Sequence, residues 1–227
     1  MQPLTASTPY QSGLRIHYFR EVQNERPVPF EEHILYLDDH LLVADKPQFL
    51  PVIPSGNHVD QTLLRRLSQR LGNPDLQPIH RLDRHTRGLV LFSVNRATRA
   101  SYQGLFREQQ IRKFYEAIAP ALPHIQFPHV RQSRIERDDR FFRSREVAGP
   151  SNAETRIDII EQRGERCRYR LEPVTGKKHQ LRVHMSALGA NICNDPFYPD
   201  VIKDAVDDYA NPLKLLAQGV RFIDPVT

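Results

Sequence analysis

The sequence predicts an α+β fold whose sheet is mainly antiparallel and carries helices on its flanks. Many short segments have the composition of β-strands, and several follow one another closely enough to pair as hairpins. Other segments show apolar residues at helical spacing, and two of these end at a glycine. A length of 227 residues with 39% hydrophobic residues suits one compact domain around a sizeable core.

The N-terminal residues 1–30 differ from the rest of the chain, because they are polar, contain four prolines and show little periodicity. We expect them to form a surface arm ahead of one domain over residues 31–227. Within that domain, segments rich in β-branched and aromatic residues predict strands. They are residues 34–37, 41–44, 89–94, 111–118, 130–135, 155–160, 168–171 and 220–223. Gly164 lies between two of them, where a hairpin turn favours glycine, so sequential hairpins are expected.

Three helices are predicted between these strands. Apolar residues at helical spacing indicate a helix between Asp60, a candidate N-terminal cap, and Gly72, a candidate C-terminal cap. A second helix is expected over residues 96–109, after a buried strand. A third is predicted over residues 178–188, where apolar side chains share one face and Gly189 follows.

The charge balance favours a polyanionic partner. Lys and Arg number 32 against 27 Asp and Glu, which gives a formal charge of +5 and a pI near 9.4. Because there is no run of about 20 apolar residues and no apolar core of a secretory signal, we expect a cytoplasmic protein that binds no membrane. Cys167 and Cys193 lack the spacing of a zinc site and are too few for a disulfide framework, so we expect free thiols.

Residues 78–88 form the densest candidate functional segment, directly before a predicted buried strand. One interpretation is a metal site, because His80, Asp83 and His85 are all plausible ligands of a divalent ion. A metal-dependent phosphoesterase would follow from it. Another interpretation is an ordinary charged turn, in which Asp83 accepts hydrogen bonds from nearby backbone N–H groups. The residues of this segment alone leave both interpretations open beside a catalytic role.

Three segments together resemble a known family. Residues 80–83, His-Arg-Leu-Asp, followed by Thr86, Gly88 and an apolar strand, are similar to the signature of the RluA-type RNA pseudouridine synthases. Residues 113–117, Lys-Phe-Tyr-Glu-Ala, resemble that family's lysine-x-tyrosine-x-alanine strand. Residues 173–184 resemble its threonine-glycine-basic-x-histidine-glutamine-hydrophobe-arginine-x-histidine segment. The likeness spans about residues 33–225.

The resemblance implies a fold and a reaction. It implies a mixed, mainly antiparallel bent sheet with flanking helices around a central catalytic cleft, so that residues 31–227 form a pseudouridine synthase catalytic domain. The implied reaction is the isomerisation of specific uridines in ribosomal or transfer RNA, without a metal or an organic cofactor. RNA is then the partner, and we expect a monomer. The alternative is a catalytically silent RNA-binding or ribosome-assembly module of the same fold.

The resemblance also assigns roles to individual residues. Asp83 is implied as the catalytic carboxylate, and Arg182 is implied to hold it ionised from about 2.7 to 3.2 Å, with two parallel hydrogen bonds available to a guanidinium. Tyr115 is implied to stack on the target uracil. The residues implied to bind substrate are Arg81, Leu181 and Lys178. Further candidates for phosphate contacts are Lys177, Arg84 and Arg87.

Overall fold

A ten-stranded sheet organises the protein, seen in a computed structural model that describes residues 5, 7–13, 22, 24–139, 142–202 and 207–227. The strands are β1 (His33–Leu37), β2 (Leu41–Lys46), β3 (Gln77–Pro78), β4 (Arg87–Ser93), β5 (Arg112–Pro120), β6 (His129–Arg137), β7 (Ser144–Val147), β8 (Ala153–Arg163), β9 (Arg166–Pro173) and β10 (Leu215–Arg221). The helices are α1 (Leu63–Leu71), α2 (Arg99–Arg107) and α3 (Gln180–Ala187).

The strands follow the order β1-β2-β4-β10-β5-β9-β8-β6-β7, and β3 pairs with β4 beside this path. Among the pairs in the described residues, β4 and β10 run parallel and the others run antiparallel. The predicted α+β class with a mixed, mainly antiparallel sheet is confirmed. The hairpin turn at Gly164 joins β8 to β9, and its φ of +58° lies in the left-handed region that favours glycine.

The ends of the helices follow from local side chains. Gly72 closes α1 at a φ of +61°, as predicted. The prediction that Asp60 caps this helix was wrong. Thr62 is the cap, because it has extended backbone angles and its side chain accepts a hydrogen bond from the backbone N–H of Arg65. Asp60 instead contacts the Arg65 side chain at 3.2 Å.

Two core clusters lie on either side of the centre of the sheet. One joins α1 to β2 and β4 and includes Leu63, Leu67 and Phe92. The other joins α3 to β5 and β9 and includes Met185. Tyr115 packs against both clusters, so the border between them runs through β5. This border is where a cleft opens.

Gly88 allows a close approach between β4 and β10. Its φ is +120°, and a Cβ atom there would lie 2.2 Å from the carbonyl oxygen of Ala217. Any residue other than glycine is excluded here for two reasons. The backbone conformation is strained for L-residues, and the space for a Cβ atom is already filled. The parallel pairing of β4 with β10 therefore depends on glycine at this position.

Much of the predicted N-terminal arm, residues 1–4, 6, 14–21 and 23, lies outside the described residues. Of the remainder, Val28 is buried in the core and the Glu25 carboxylate accepts hydrogen bonds from the backbone of residues 59–61. The domain boundary at residue 31 stays a prediction. None of the described helices has the length and apolar character that a membrane span requires.

Candidate active site

A cleft of about 1120 Å³ opens at the centre of the sheet. The six residues for which the resemblance implies a catalytic, supporting or substrate-binding role all line it. They are Arg81, Asp83, Tyr115, Lys178, Leu181 and Arg182. The fold therefore gathers side chains that are up to about a hundred positions apart in the chain.

The loop between β3 and β4 carries Asp83, and a buried lysine fixes this loop. Lys46 donates hydrogen bonds to the carbonyl oxygens of Pro47 at 2.8 Å, Leu50 at 2.9 Å and Arg84 at 3.1 Å. These acceptors match the three donors of an ammonium group, although burial lowers the pKa of Lys46 to about 7. Since Arg84 directly follows Asp83, this contact restrains the backbone beside the candidate catalytic carboxylate.

The Asp83 side chain is 29% exposed and meets two groups from the third motif. Arg182 Nη1 donates to Asp83 Oδ2 at 3.3 Å, slightly beyond the expected interval. His179 Nε2 lies 3.7 Å from the same oxygen. The first and third motifs, which are separate in the sequence, thus meet at Asp83.

The hydrogen bonds of Arg182 are distributed differently from the expectation. Its side chain is 1% exposed, and its two-bond fork holds Asp195, through Nε at 2.7 Å and Nη2 at 2.5 Å. The prediction that this fork is available to Asp83 was wrong, because Asp195 already occupies it. Asp195 lies outside the three motifs, and sequence reasoning missed it. The signal that could have found it is an aspartate followed by a proline and then by two aromatic residues, Phe197 and Tyr198.

These neighbours determine the ionisation of Asp83. Burial opposes a charge on this carboxylate, but His179 and Arg182 outweigh burial and hold the pKa of Asp83 below its ordinary value. Burial lowers the pKa of His179 itself to about 4, so His179 is neutral at pH 7 and the lasting positive charge is that of Arg182. Burial also opposes the charge of Arg182, and the hydrogen bonds that Arg182 donates to Asp195 more than compensate, which raises the pKa of Arg182. Asp83 is therefore ionised at neutral pH.

The wall of the cleft combines an aromatic ring with an aliphatic side chain. Lys113 and Tyr115 line the cleft from β5, whereas Glu116 lies outside it, as strand alternation predicts. Burial, and then the charge of Asp83, raise the pKa of Tyr115, so its hydroxyl stays protonated. Leu181 is 6% exposed and belongs to both the core and the cleft lining. An aromatic ring beside an aliphatic side chain can hold the flat face of a ring.

The basic residues separate into two groups. Arg81, Lys177 and Lys178 are exposed and line the cleft. Arg84 and Arg87 were predicted as phosphate contacts, and here the structure differs because each has a carboxylate partner. The Arg84 guanidinium donates two hydrogen bonds to the Asp207 carboxylate, and the one from Nη1 to Oδ1 measures 2.8 Å. Arg87 lies outside the cleft lining, 3.0 Å from Asp45.

The histidines of the first motif have partners of their own. The backbone N–H of Leu91 donates to His80 Nε2 at 3.1 Å, and the His80 ring stacks on Phe106. The His85 ring meets the rings of Phe49 and Phe197 edge to face. In the part of the chain that the structure describes, no group of three or more His, Cys, Asp or Glu is placed to hold a metal ion. That the reaction needs no metal or cofactor stays a prediction.

Four histidines, of which His179 and His184 are buried and His80 and His85 are partly buried, predict that stability falls in mild acid. Burial lowers the pKa values of His80, His85, His179 and His184 to about 4, from an ordinary value of 6.5. Between these two values the unfolded chain binds protons that the folded protein does not. The contribution of the neutral histidines to the free energy of unfolding is therefore complete above pH 6.5 and is lost as the pH falls towards 4. Urea unfolding at about pH 7, 5.5 and 4.5 should show a falling midpoint, with a smaller fall in His184→Gln. A midpoint that stays constant over this range would contradict the neutral state of these side chains.

The chain is similar in sequence to known RNA pseudouridine synthases. Residues 40–187 match the profile of a family described as RNA pseudouridylate synthase. A dual-specificity RNA pseudouridine synthase RluA from Haemophilus influenzae is 32% identical over 169 residues, which cover 73% of this chain and 76% of the relative. An uncharacterised RNA pseudouridine synthase from a Synechocystis species is 31% identical over 84% of this chain, and the match spans 66% of its own length.

A solved structure gives the same result for the fold. Human RNA pseudouridylate synthase domain containing 4 superposes with a TM-score of 0.65 at 27% identity, over 83% of each chain. The pseudouridine synthase-like fold that the sequence predicted is confirmed by this superposition. Because the family profile covers the loop of Asp83, the strand of Tyr115 and the helix of Arg182, the chain belongs to the RNA pseudouridylate synthase family and is similar to its RluA-type members.

Proposed function

We propose that this chain isomerises specific uridines in ribosomal or transfer RNA to pseudouridine, with Asp83 as the catalytic carboxylate. The observation that carries the proposal is the setting of Asp83, an ionised carboxylate that lines a large cleft beside the buried guanidinium of Arg182. Membership of the family supports the reaction, and the resemblance to RluA-type enzymes supports the substrate class.

The reaction fits a site that supplies a carboxylate and a wall for the base. The bond between ribose and uracil N1 breaks, the base turns while bound, and a new bond forms through C5. The C5 proton is lost and N1 gains one, so no redox equivalent or phosphate donor is consumed. Asp83 either attacks as a nucleophile or removes a sugar proton, and both routes need it ionised. Arg182 meets this need, since its positive charge opposes protonation of Asp83 in the partly desolvated cleft.

The cleft also suits a base taken out of its stack. Extruding a nucleotide costs a few kcal/mol, and this cost is lowest when the base is already unpaired. Tyr115 and Leu181 offer an aromatic and an aliphatic surface to the extruded uracil, while exposed Arg81, Lys177 and Lys178 lie where the phosphates of the strand would enter. These roles make an RNA loop or a bulge a better substrate than an undisturbed duplex.

Substitutions of Tyr115 test the base-binding wall. Tyr115→Phe keeps the aromatic face, so RNA affinity should change little while the rate falls if the hydroxyl takes part. Tyr115→Ala should lower both, because the loss of a stacking partner costs about 1–3 kcal/mol. Filter binding and single-turnover product formation on one RNA measure the two effects. Phe114→Ala is the matched control, since Phe114 neighbours Tyr115 but lies outside the cleft lining. Wild-type kinetics of Tyr115→Ala would make Tyr115 a plain core residue.

The experiment that tests the function as a whole is a map of pseudouridines in total RNA from cells with and without the gene. The proposal expects one or a few positions in ribosomal or transfer RNA to lose pseudouridine and to regain it with the wild-type chain. Identical maps would refute the proposed function. If the purified chain still bound RNA in that case, the catalytically silent RNA-binding module would be the better description.

A further inference from the structure

We propose that Asp195 is a positioning residue, which directs one guanidinium nitrogen of Arg182 at Asp83 and keeps the other two away from it. The inference rests on the proposed function. It concerns a residue that none of the three sequence motifs contains, and the structure links it to the reaction through a single intermediate side chain.

The distribution of hydrogen bonds carries the first step. Arg182 Nε donates to Asp195 Oδ2 at 2.7 Å and Nη2 donates to Asp195 Oδ1 at 2.5 Å, whereas the contact of Nη1 with Asp83 Oδ2 measures 3.3 Å. A guanidinium is planar and rigid, so fixing two nitrogens also fixes where the third one points. The position of Asp195 therefore determines the direction and length of the contact that Arg182 makes with Asp83.

The second step is that Asp195 is itself held in place. Its Oδ1 accepts hydrogen bonds from the backbone N–H of Phe197 at 2.8 Å and of Tyr198 at 3.2 Å. The rings of the same two residues lie against Arg182, with centroids 5.0 and 5.3 Å from its guanidinium carbon. We name Asp195, Phe197 and Tyr198 the Arg182 socket. One short turn thus supplies the counter-charge of Arg182 and two of the surfaces that enclose it.

The socket is also tied to the other neighbour of Asp83. The Tyr198 hydroxyl donates to the carbonyl oxygen of Ser144 at 2.9 Å and contacts His179 Nδ1 at 3.0 Å. His179 Nε2 then lies 3.7 Å from Asp83 Oδ2. Arg182 lies on α3 and His179 is the N-terminal cap of this helix. Both side chains that approach Asp83 are therefore oriented by residues 195–198.

The chemical consequence concerns the reactivity of Asp83. If the fork of Arg182 held Asp83, two short charge-assisted hydrogen bonds would engage both carboxylate oxygens and weaken them as nucleophile or base. Because Asp195 accepts two hydrogen bonds from Arg182, Asp83 receives a single longer one, at Oδ2, and His179 also approaches that oxygen. Asp83 stays ionised through the nearby charge while a weaker contact leaves it reactive.

The test compares Asp195→Asn with Asp207→Asn. An asparagine at 195 keeps an oxygen that accepts from the N–H groups of Phe197 and Tyr198. It loses the negative charge and one of the two oxygens that accept from Arg182, so the Arg182 guanidinium is expected to turn towards Asp83. Single-turnover pseudouridine formation on RNA from cells that lack the gene should slow on the order of 10²-fold. The RNA dissociation constant should stay within about twofold. Asp207 is the matched control, because it likewise accepts two hydrogen bonds from an arginine, namely Arg84, which lies in the same loop as Asp83. Its substitution should leave the rate within about twofold.

A second variant separates positioning from folding. Asp195→Ala leaves space beside a guanidinium that binds carboxylates, so formate should restore part of its rate, while chloride at equal ionic strength should not. Loss of rate with unchanged RNA affinity and recovery by formate support the proposal. It is overturned if Asp195→Asn reacts at the wild-type rate, if its loss of rate only follows a loss of folded protein, or if formate acts no better than chloride. A wild-type chain that forms no pseudouridine on this RNA would refute the proposed function itself, and the inference with it.

Discussion

Asp83→Ala should lower the rate of pseudouridine formation at least about 10³-fold, while RNA affinity stays nearly unchanged. RNA affinity comes mainly from neutralised phosphates and stacked bases, and the exposed cleft residues Arg81, Lys177 and Lys178 are retained. Removing one negative charge from the cleft should even tighten binding slightly. A group that acts only in the chemical steps lowers turnover without lowering substrate binding.

The measurement pairs filter binding with product formation on the same RNA at one fixed salt concentration, because affinity for RNA depends steeply on salt. Asp45→Ala is the control for the change in charge, since Asp45 pairs with Arg87 and lies outside the cleft lining. Appreciable product from Asp83→Ala would overturn the assignment of the catalytic residue. A parallel loss of affinity and rate would point to a role of Asp83 in binding.

Gly88→Ala should be the most destabilising single-methyl change in the sheet. The new Cβ would lie 2.2 Å from the Ala217 carbonyl oxygen at a φ of +120°, so β4 and β10 must separate or the backbone must rearrange. Backbone strain and overpacking together predict a loss of about 3 kcal/mol or more in the free energy of unfolding. Urea unfolding followed by circular dichroism measures the loss.

Gly219→Ala provides the comparison within the same pair of strands. At Gly219, on β10, the nearest atom to an added Cβ would be Phe114 Cδ2 at 3.9 Å, an ordinary van der Waals distance. Its urea midpoint should stay close to that of the wild-type chain. Equal midpoints for the two alanine variants would show that the contact between β4 and β10 adapts, and that glycine at position 88 is not required for space.

The sequence predicts those elements of the fold that depend on neighbouring residues. The hairpin of β8 and β9 follows from Gly164, and the end of α1 follows from Gly72, since each glycine supplies a local backbone angle that other residues avoid. Strands β3 and β7 were missed. β3 has two residues, and β7 is a short edge strand with two charged residues, Arg145 and Glu146, so neither has a clear apolar pattern. The position of β10 between β4 and β5 depends on contacts over long distances in sequence, which periodicity does not contain.

The same division applies to the site. The motifs identified the side chains of the cleft because each residue type is required by the chemistry at a fixed spacing. They did not reveal how hydrogen bonds are shared among those side chains. Arg182 has three donor groups, and only the folded chain shows that Asp195 takes two of them. The sequence likewise left Arg84 as a candidate for a phosphate contact, whereas in the folded chain Arg84 pairs with Asp207, more than a hundred residues away.

The central position of β10 has a consequence for the order of events during protein synthesis. The loop of Asp83 leads into β4 and Tyr115 lies on β5, and β10 joins these two strands. A ribosome must therefore translate residues 215–221 before the two sides of the cleft can be joined. Until then, the nascent chain holds both motifs without an assembled site and exposes two unpaired strand edges, which are prone to pair with other chains. The site is therefore assembled late in synthesis, and the exposed strand edges favour aggregation until then.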